Sequence, residues 1–414
     1  MENLKIKWDS AWDKTDATTT EVAEYEGGQL YKMNPCYLLV LNGTYRQMGR
    51  QYGHLLKDQI KYMRDLLKKE FIETPGGAYK TSKPGGLMSY EDMRAIAATG
   101  YYLAKPKHHK EMLAGMAETT GLPLEEHAIL DDMLDVVMWG RNVNMCTSLA
   151  CWDKHSKDGA LYTARNHDFS MSWRQCFETA GVFVVMNPTG ASMSHGFAAR
   201  AGQANNAIDH MNSAGLYIEC NNAWNISSYL SSKERTITNW VIQLVEDYTT
   251  VEEVSCVLPY VRASAGLNVL AADPTEARYF EVGPVGSAKT KPEFGTMTSR
   301  ANLSFNEEFQ LPEAYPDRVA EYSRPRRDNM VKFFLQDPST NDDSKARAYL
   351  NKDLFVDGEV RDGSTTFLNN MGGLDSWTAY QTVTKPEERK IWWRIPTLGP
   401  WQEIDLKKYF NEKA

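Results

Sequence analysis

The apolar period of this chain changes once, just after Gly140, and that change limits what it can fold into. Ahead of it, apolar residues recur at spacings of three and four. Met48, Tyr52, Leu55, Leu56, Ile60, Met63 and Leu67 form one stripe, the mark of an amphipathic helix. Similar patterns predict helices over Tyr90–Leu103, His108–Glu118 and Leu124–Trp139, the last burying Ile129, Met133, Val136 and Val137. Acidic residues in its first turn suit the helix dipole. Beyond Gly140, short β-like runs dominate: Cys146–Trp152, Ala160–Ala164, Val182–Met186, Leu216–Cys220, Val269–Ala272 and Ala277–Val282. Helices are predicted between them at Ile237–Tyr248, at Val251–Tyr260 after a Thr250 cap, and at Pro316–Leu335. Trp377–Val383 and Lys390–Ile395 flank a turn at Lys385–Glu388 and read as a hairpin. The first 30 residues read as an extended arm, Cys36–Leu41 as a strand, and Pro75–Gly77 and Pro84–Gly86 as the ends of a loop. Helices followed by strands with segregated helices give an α+β layered fold.

Composition narrows the function classes. Lys and Arg number 46 against 54 Asp and Glu, a net charge of −8, which argues against a nucleic-acid partner. No apolar run approaches the roughly 20 residues of a membrane span, so no membrane span is expected. The N-terminus shows no apolar leader, so a cytoplasmic location is expected. The length of 414 residues admits two or three domains or one large one, and whether copies assemble into a homo-oligomer is left open. Six cysteines are too few for a disulfide scaffold, and none lies in a Cys-x-x-Cys pair. Most read as buried small hydrophobes, with one available as a nucleophile.

Phosphate-loop, zinc-protease, dinucleotide and EF-hand patterns are absent. Ser192 does not fit a nucleophile elbow, lacking a glycine two residues on. His108-His109, set among Lys105, Lys107 and Lys110, reads as a solvated helix face, because adjacent residues do not share one face and a joint metal site is not expected. His127 and His195 are lone histidines with the same unremarkable reading, and Asp337–Asp343 reads as a loop.

The informative stretch runs from Cys146-Thr-Ser-Leu-Ala-Cys-Trp through Asp158-Gly159 to Arg165-Asn-His-Asp168-Phe. It reads as two strands joined by a turn, which brings Cys146 near Arg165 and Asp168. An arginine beside a thiol stabilises the thiolate, and an aspartate orients a proton-carrying amine. On spacing alone, a hairpin with a surface salt bridge and a buried cysteine is the better explanation of the segment.

The residues themselves add more. This block resembles the start of the catalytic chain in choloylglycine hydrolases and penicillin V acylases. It is also similar to acid ceramidase and to isopenicillin-N acyltransferase, all N-terminal-nucleophile (Ntn) hydrolases. Asn42-Gly-Thr-Tyr-Arg-Gln-Met-Gly-Arg-Gln-Tyr-Gly-His54 looks like the opening of the isopenicillin-N acyltransferase group, the C45 peptidase family. Met211-Asn-Ser-Ala-Gly-Leu216, Ala271-Ala-Asp273, Ala301-Asn302 and Ser323-Arg-Pro-Arg-Arg327 continue the likeness along nearly the whole chain.

The resemblance implies a four-layer αββα sandwich with a helical N-terminal segment. It implies self-cleavage of the Met145–Cys146 bond, dividing a zymogen into residues 1–145 and a catalytic chain 146–414 that share one core. Cys146 would be the nucleophile, rather than Cys151 in mid-strand. Its freed α-amine, with a reference pKa of about 7.7–8.0, would be the base, so no catalytic histidine is required. Arg165 would sit against the thiol and Asp168 would hold the amine. Asn222 and Asn302 would stabilise the oxyanion, and Arg327 would support the site. The register leaves Asn221 beside Asn222, and Arg324 and Arg326 beside Arg327. Leu303 departs from the acyltransferase pattern, where a histidine follows the asparagine. The implied activity is hydrolysis of a small-molecule linear amide, with acyl transfer and a non-catalytic binding protein as alternatives. No metal or organic cofactor is expected.

Overall fold

The computed structural model describes residues 14–411 except 34, 70–81, 84–85, 88, 139–144, 170, 224–234, 265, 285, 304–315, 352–376 and 397. The loop start at Pro75–Gly77, most of its Pro84–Gly86 end, and Trp139 lie outside those residues.

Two large sheets face each other. One has seven strands in the order Thr15–Asp16, Trp401–Asp405, Lys390–Arg394, Trp377–Lys385, Gly159–Phe169, Met145–Asp153 and Met297–Arg300. The other has ten: Gly286–Lys289, Ala277–Gly283, Leu267–Ala272, Tyr217–Asn222, Asp209–Asn212, His195–Arg200, Gly181–Pro188, Tyr37–Gly43, Gly28–Met33 and Thr19–Tyr25. Helices Pro316–Gln336 and Asp343–Leu350 pack on the seven-stranded sheet, and Tyr45–Leu55, Ile237–Asp247 and Val251–Val257 on the ten-stranded one. The layers therefore run helix, sheet, sheet, helix, the mixed α+β arrangement expected of an Ntn-hydrolase sandwich.

Strand alternation divides the polar and apolar chemistry. Leu149, Cys151, Tyr162 and Ala164 pack with Met330, Phe334 and Tyr349 on the helix side of the seven-stranded sheet. Cys146, Ser148 and Arg165 face the other sheet, where Ser148 Oγ lies 2.7 Å from Tyr279 Oη and accepts a hydrogen bond from Asn221 Nδ2 at 2.6 Å.

The segment ahead of Cys146 carries strands as well as helices. Strand Tyr37–Gly43 pairs in parallel with Gly181–Pro188, which ties that segment into the ten-stranded sheet. The supposed arm instead forms the antiparallel pair Thr19–Tyr25 and Gly28–Met33. Helix Tyr45–Leu55 begins at Thr44, in a capping box with Gln47. It then meets Lys107–Thr120 with backbones in contact: a Cβ on Gly49 would lie 2.1 Å from Met112 O, and one on Gly115 2.2 Å from Arg46 O. Among the described residues no helix is long and apolar enough to cross a membrane.

Candidate active site

The Met145–Asp153/Gly159–Phe169 hairpin sets the geometry. Its register puts Cys146 opposite His167, Ser148 opposite Arg165 and Met145 opposite Asp168. Directly opposed side chains share a face, so Arg165 reaches diagonally to the thiol, with Nη2 3.4 Å from Cys146 Sγ. The guanidinium is buried and held on several sides: Nη1 donates to Asp209 Oδ2 at 2.7 Å, Nη2 to Cys220 O at 2.8 Å, and Nε lies 2.6 Å from Glu219 Oε2. Burial works against its charge, but Asp209, the thiol, Tyr380 and Glu219 together hold its pKa well above the usual arginine value. Burial also pushes the Cys146 thiol up to about 11, while Arg165 pulls it down. In this intact chain the sulfur is therefore a buried thiol.

The main-chain side of Cys146 has a second set of partners. Its N–H donates to Asn302 Oδ1 at 3.0 Å, and its carbonyl accepts from Arg326 Nη1 at 2.9 Å. Arg326 Nη2 donates to the same Asn302 Oδ1 at 2.6 Å, and Nη1 lies 3.5 Å from Asp168 Oδ2. Thr378 Oγ1 donates to Asp168 Oδ1 at 2.7 Å. Asn302 Nδ2 donates to the Asn222 carbonyl at 2.8 Å, and Asn302 N–H to Ser323 Oγ. The Asn222 amide nitrogen is buried with no hydrogen-bond partner among the described residues. A buried donor of this kind is costly unless something else accepts from it.

The structure thus gathers Cys146, Arg165, Asp168 and Asn302, and places Asn222 against Asn302. It separates Asn222 from Asn221, whose amide is spent on Ser148 and Arg165. It brings Arg326 to the site and not Arg327, which lies against Glu293 and Asp328. The helix period does not make this choice: Arg326 and Arg327 both lie three or four residues from the buried Ser323 and Met330, and only Arg326 is fully buried. Cys151 lies on the helix side of the sheet, away from Arg165. His167, Asp209, Trp173 and Thr378 join the site without having been singled out from sequence; no local spacing marks them.

The pair His108-His109 is not a solvated face. His109 is fully buried, and both rings reach the buried Glu246, with Nε2–Oε2 distances of 3.0 Å. Tyr45 Oη donates to the same carboxylate at 2.6 Å. Two histidines and a glutamate at this spacing resemble a metal-ligand set, but the surroundings of His109 fix its proton. Asn239 Oδ1 accepts from Arg235 Nε, so its Nδ2 is the donor to His109 Nδ1 at 2.9 Å. His109 Nε2 therefore carries the hydrogen and donates to Glu246 instead of offering a lone pair. Lys105 is buried too, between Asp131 and Asp132.

A cavity of about 190 Å³ adjoins Asn302, lined by Ala301, Leu303, Ser323, Arg324, Arg327 and Asp328.

No family model matches the chain, and no curated protein matches it. Solved structures similar to it include two variants of conjugated bile acid hydrolase from Clostridium perfringens. They are 13% identical over 65% of this chain and 95% of theirs, with TM-scores of 0.45 and 0.46. Penicillin V acylase from Agrobacterium tumefaciens is 15% identical over 65% of this chain and 89% of its own, with a TM-score of 0.44.

Proposed function

We propose that this chain is an autoprocessing cysteine amidohydrolase of the Ntn type, acting on linear amides such as N-acyl amino acids. In the maturation step Cys146 Sγ attacks the Met145 carbonyl. The peptide C–N bond breaks as the nitrogen takes a proton, which frees the α-amine, and water then hydrolyses the resulting thioester to release the Met145 carboxyl group and restore the Cys146 thiol. In turnover the α-amine accepts the thiol proton, and the thiolate adds to the substrate carbonyl. The ammonium returns the proton to the leaving amine, and water releases the acid from the thioester.

Three kinds of group support these roles. Arg165, 3.4 Å from Sγ, stabilises the thiolate. Asn302 Oδ1 already accepts from the Cys146 nitrogen and would hold the freed amine, with Asp168 nearby. The unpartnered Asn222 Nδ2 supplies a donor for the oxyanion, and Arg326 takes the supporting place assigned from sequence to Arg327. The convergence of a buried arginine, an aspartate and Asn302 on Cys146, with Asn222 against Asn302, carries this reading.

Mass spectrometry of the purified protein tests it. Fragments ending at Met145 and beginning at Cys146 are expected, together with thiol-dependent hydrolysis in a screen of N-acyl amino acids, β-alanyl amides, penicillin V and bile-salt conjugates. Cys146→Ala should abolish both. An intact 47.0 kDa chain without turnover would instead favour a non-catalytic binding protein. Products formed with added amines in competition with water would favour an acyltransferase.

A further inference from the structure

We propose that His167 is a catalytic residue that donates its Nδ1–H to the Cys146 thiolate, and that it is not the base that deprotonates it. The inference rests on the nucleophile reading above. His167 stands directly opposite Cys146 in the hairpin ladder, fully buried, with Nδ1 3.8 Å from Sγ. A histidine beside a catalytic cysteine invites the role of general base. The far side of the ring excludes it here.

Trp173 Nε1 lies 3.0 Å from His167 Nε2. An indole N–H can only donate, so Nε2 must hold a lone pair toward it, and a neutral imidazole then carries its hydrogen on Nδ1. That hydrogen points at the sulfur. Arg165 Nη2 also comes within 3.4 Å of Nδ1, a longer approach than that of the indole to Nε2; a neutral ring accepts at one nitrogen only, so the shorter bond takes the lone pair and leaves the hydrogen on Nδ1. Tyr380 stacks on the ring at 4.6 Å and fixes its plane. Burial, with the charges of Arg165 and Arg200, holds the imidazole neutral far below its usual range, so it does not gain a second proton near neutrality.

The thiolate thus receives two N–H donors, the cationic Arg165 and the neutral His167. The other charged groups around Cys146 are Asp168 and Arg326 on its main-chain side, with Glu219 and Asp209 behind Arg165. With the lone pair of Nε2 occupied and Nδ1 protonated, His167 has nowhere to place the thiol proton. The proton must go to another group, and the α-amine of Cys146 is the one on the same residue. An ordinary Cys–His dyad would present the ring the other way round, with a bare nitrogen toward sulfur.

The test uses the full-length protein and needs no substrate. Nitrogen-15 NMR of labelled histidines should show His167 neutral and protonated at Nδ1 at pH 7; protonation at Nε2 overturns the proposal. The pH midpoint of Cys146 alkylation, followed by peptide mass mapping, should rise by about one unit in His167→Leu, a tenfold change in thiolate equilibrium. His167→Asn keeps an N–H donor near the Nδ1 position and should recover most of that shift. An unchanged or lowered midpoint in His167→Leu overturns the proposal. If that variant does not fold, Trp173→Phe serves, since losing the indole donor should release part of the ring to the Nε2–H tautomer and raise the midpoint. No tautomer change and no shift overturns it again. Failure of the nucleophile reading itself shows separately, as an intact chain with no thiol-dependent turnover.

Discussion

Arg326 Nη2 and Asn302 Oδ1 are joined by a hydrogen bond of 2.6 Å, and the same oxygen accepts the Cys146 N–H at 3.0 Å. One guanidinium thereby fixes the asparagine that faces the nucleophile's nitrogen, while also holding the Cys146 carbonyl and approaching Asp168.

Removing Arg326 therefore leaves Asp168 without a buried cation and Asn302 without its anchor. Breaking a buried pair in this way costs about 3–5 kcal/mol. Arg326→Ala should slow cleavage at Met145–Cys146 by more than about 100-fold and lower the melting temperature. Arg327→Ala should slow cleavage at Met145–Cys146 by no more than about threefold, because its ion pairs are to Glu293 and Asp328 and not to Asp168, and such part-exposed pairs contribute about 1 kcal/mol or less. Equal losses in the two variants would mean that Arg326 is not the supporting arginine.

Asn222 and its neighbour separate catalysis from stability. Losing an oxyanion donor costs about 10²–10³ in kcat, and Asn222→Ala should show that loss with a nearly unchanged melting temperature, since its amide nitrogen makes no hydrogen bond among the described residues. Asn221→Ala should do the reverse in calorimetry, losing about 1–3 kcal/mol because it strands Ser148 and Arg165. A stability loss for Asn222→Ala as large as that for Asn221→Ala would refute the distinction.

Gly115 lets two helices touch. A methyl group there would lie 2.2 Å from Arg46 O, and the backbone that supplies this oxygen belongs to a helix pinned to the ten-stranded sheet. Gly115→Ala should destabilise the chain by about 1–3 kcal/mol, the usual range for overpacking, measured by urea unfolding. A neutral or stabilising result would show that the helices can part freely.

His127 makes stability depend on acid. It is buried, its Nε2 lies 2.7 Å from Thr120 Oγ1, and burial lowers its pKa to about 4. The folded state thus stays neutral while the unfolded histidine takes up a proton below its reference value of about 6.5. The contribution is present in full above that pH and is lost as the pH falls toward 4, at about 1.4 kcal/mol per unit. His127→Gln should therefore lose about 2–3 kcal/mol less stability than the parent between pH 6.5 and 4.5. Parallel pH profiles would show that His127 is not buried neutral.

Local structure was legible where a signal spans four residues or fewer. The Thr250 cap is a capping box with Glu253, the 237–248 stripe is helix Ile237–Asp247, and the Asp158-Gly159 turn is taken with Gly159 at φ +79. Strands were missed where tertiary packing sets the pattern. Thr19–Tyr25 is largely solvent-facing, so it carries no apolar alternation. Asp209–Asn212 reads as polar, yet is wholly buried because Asp209 neutralises Arg165 between the sheets.

The sequence by itself determined the helix stripes, the caps and the hairpin that sets Cys146 beside Arg165, because these depend on backbone period and near neighbours. Tertiary structure alone decided which of several equivalent side chains serve the site: Arg326 over Arg327, the free amide of Asn222 over the spent one of Asn221, and a His167 whose proton is placed by Trp173. Each choice turns on which buried donor finds an acceptor, and that is settled by strands and helices brought together from distant parts of the chain.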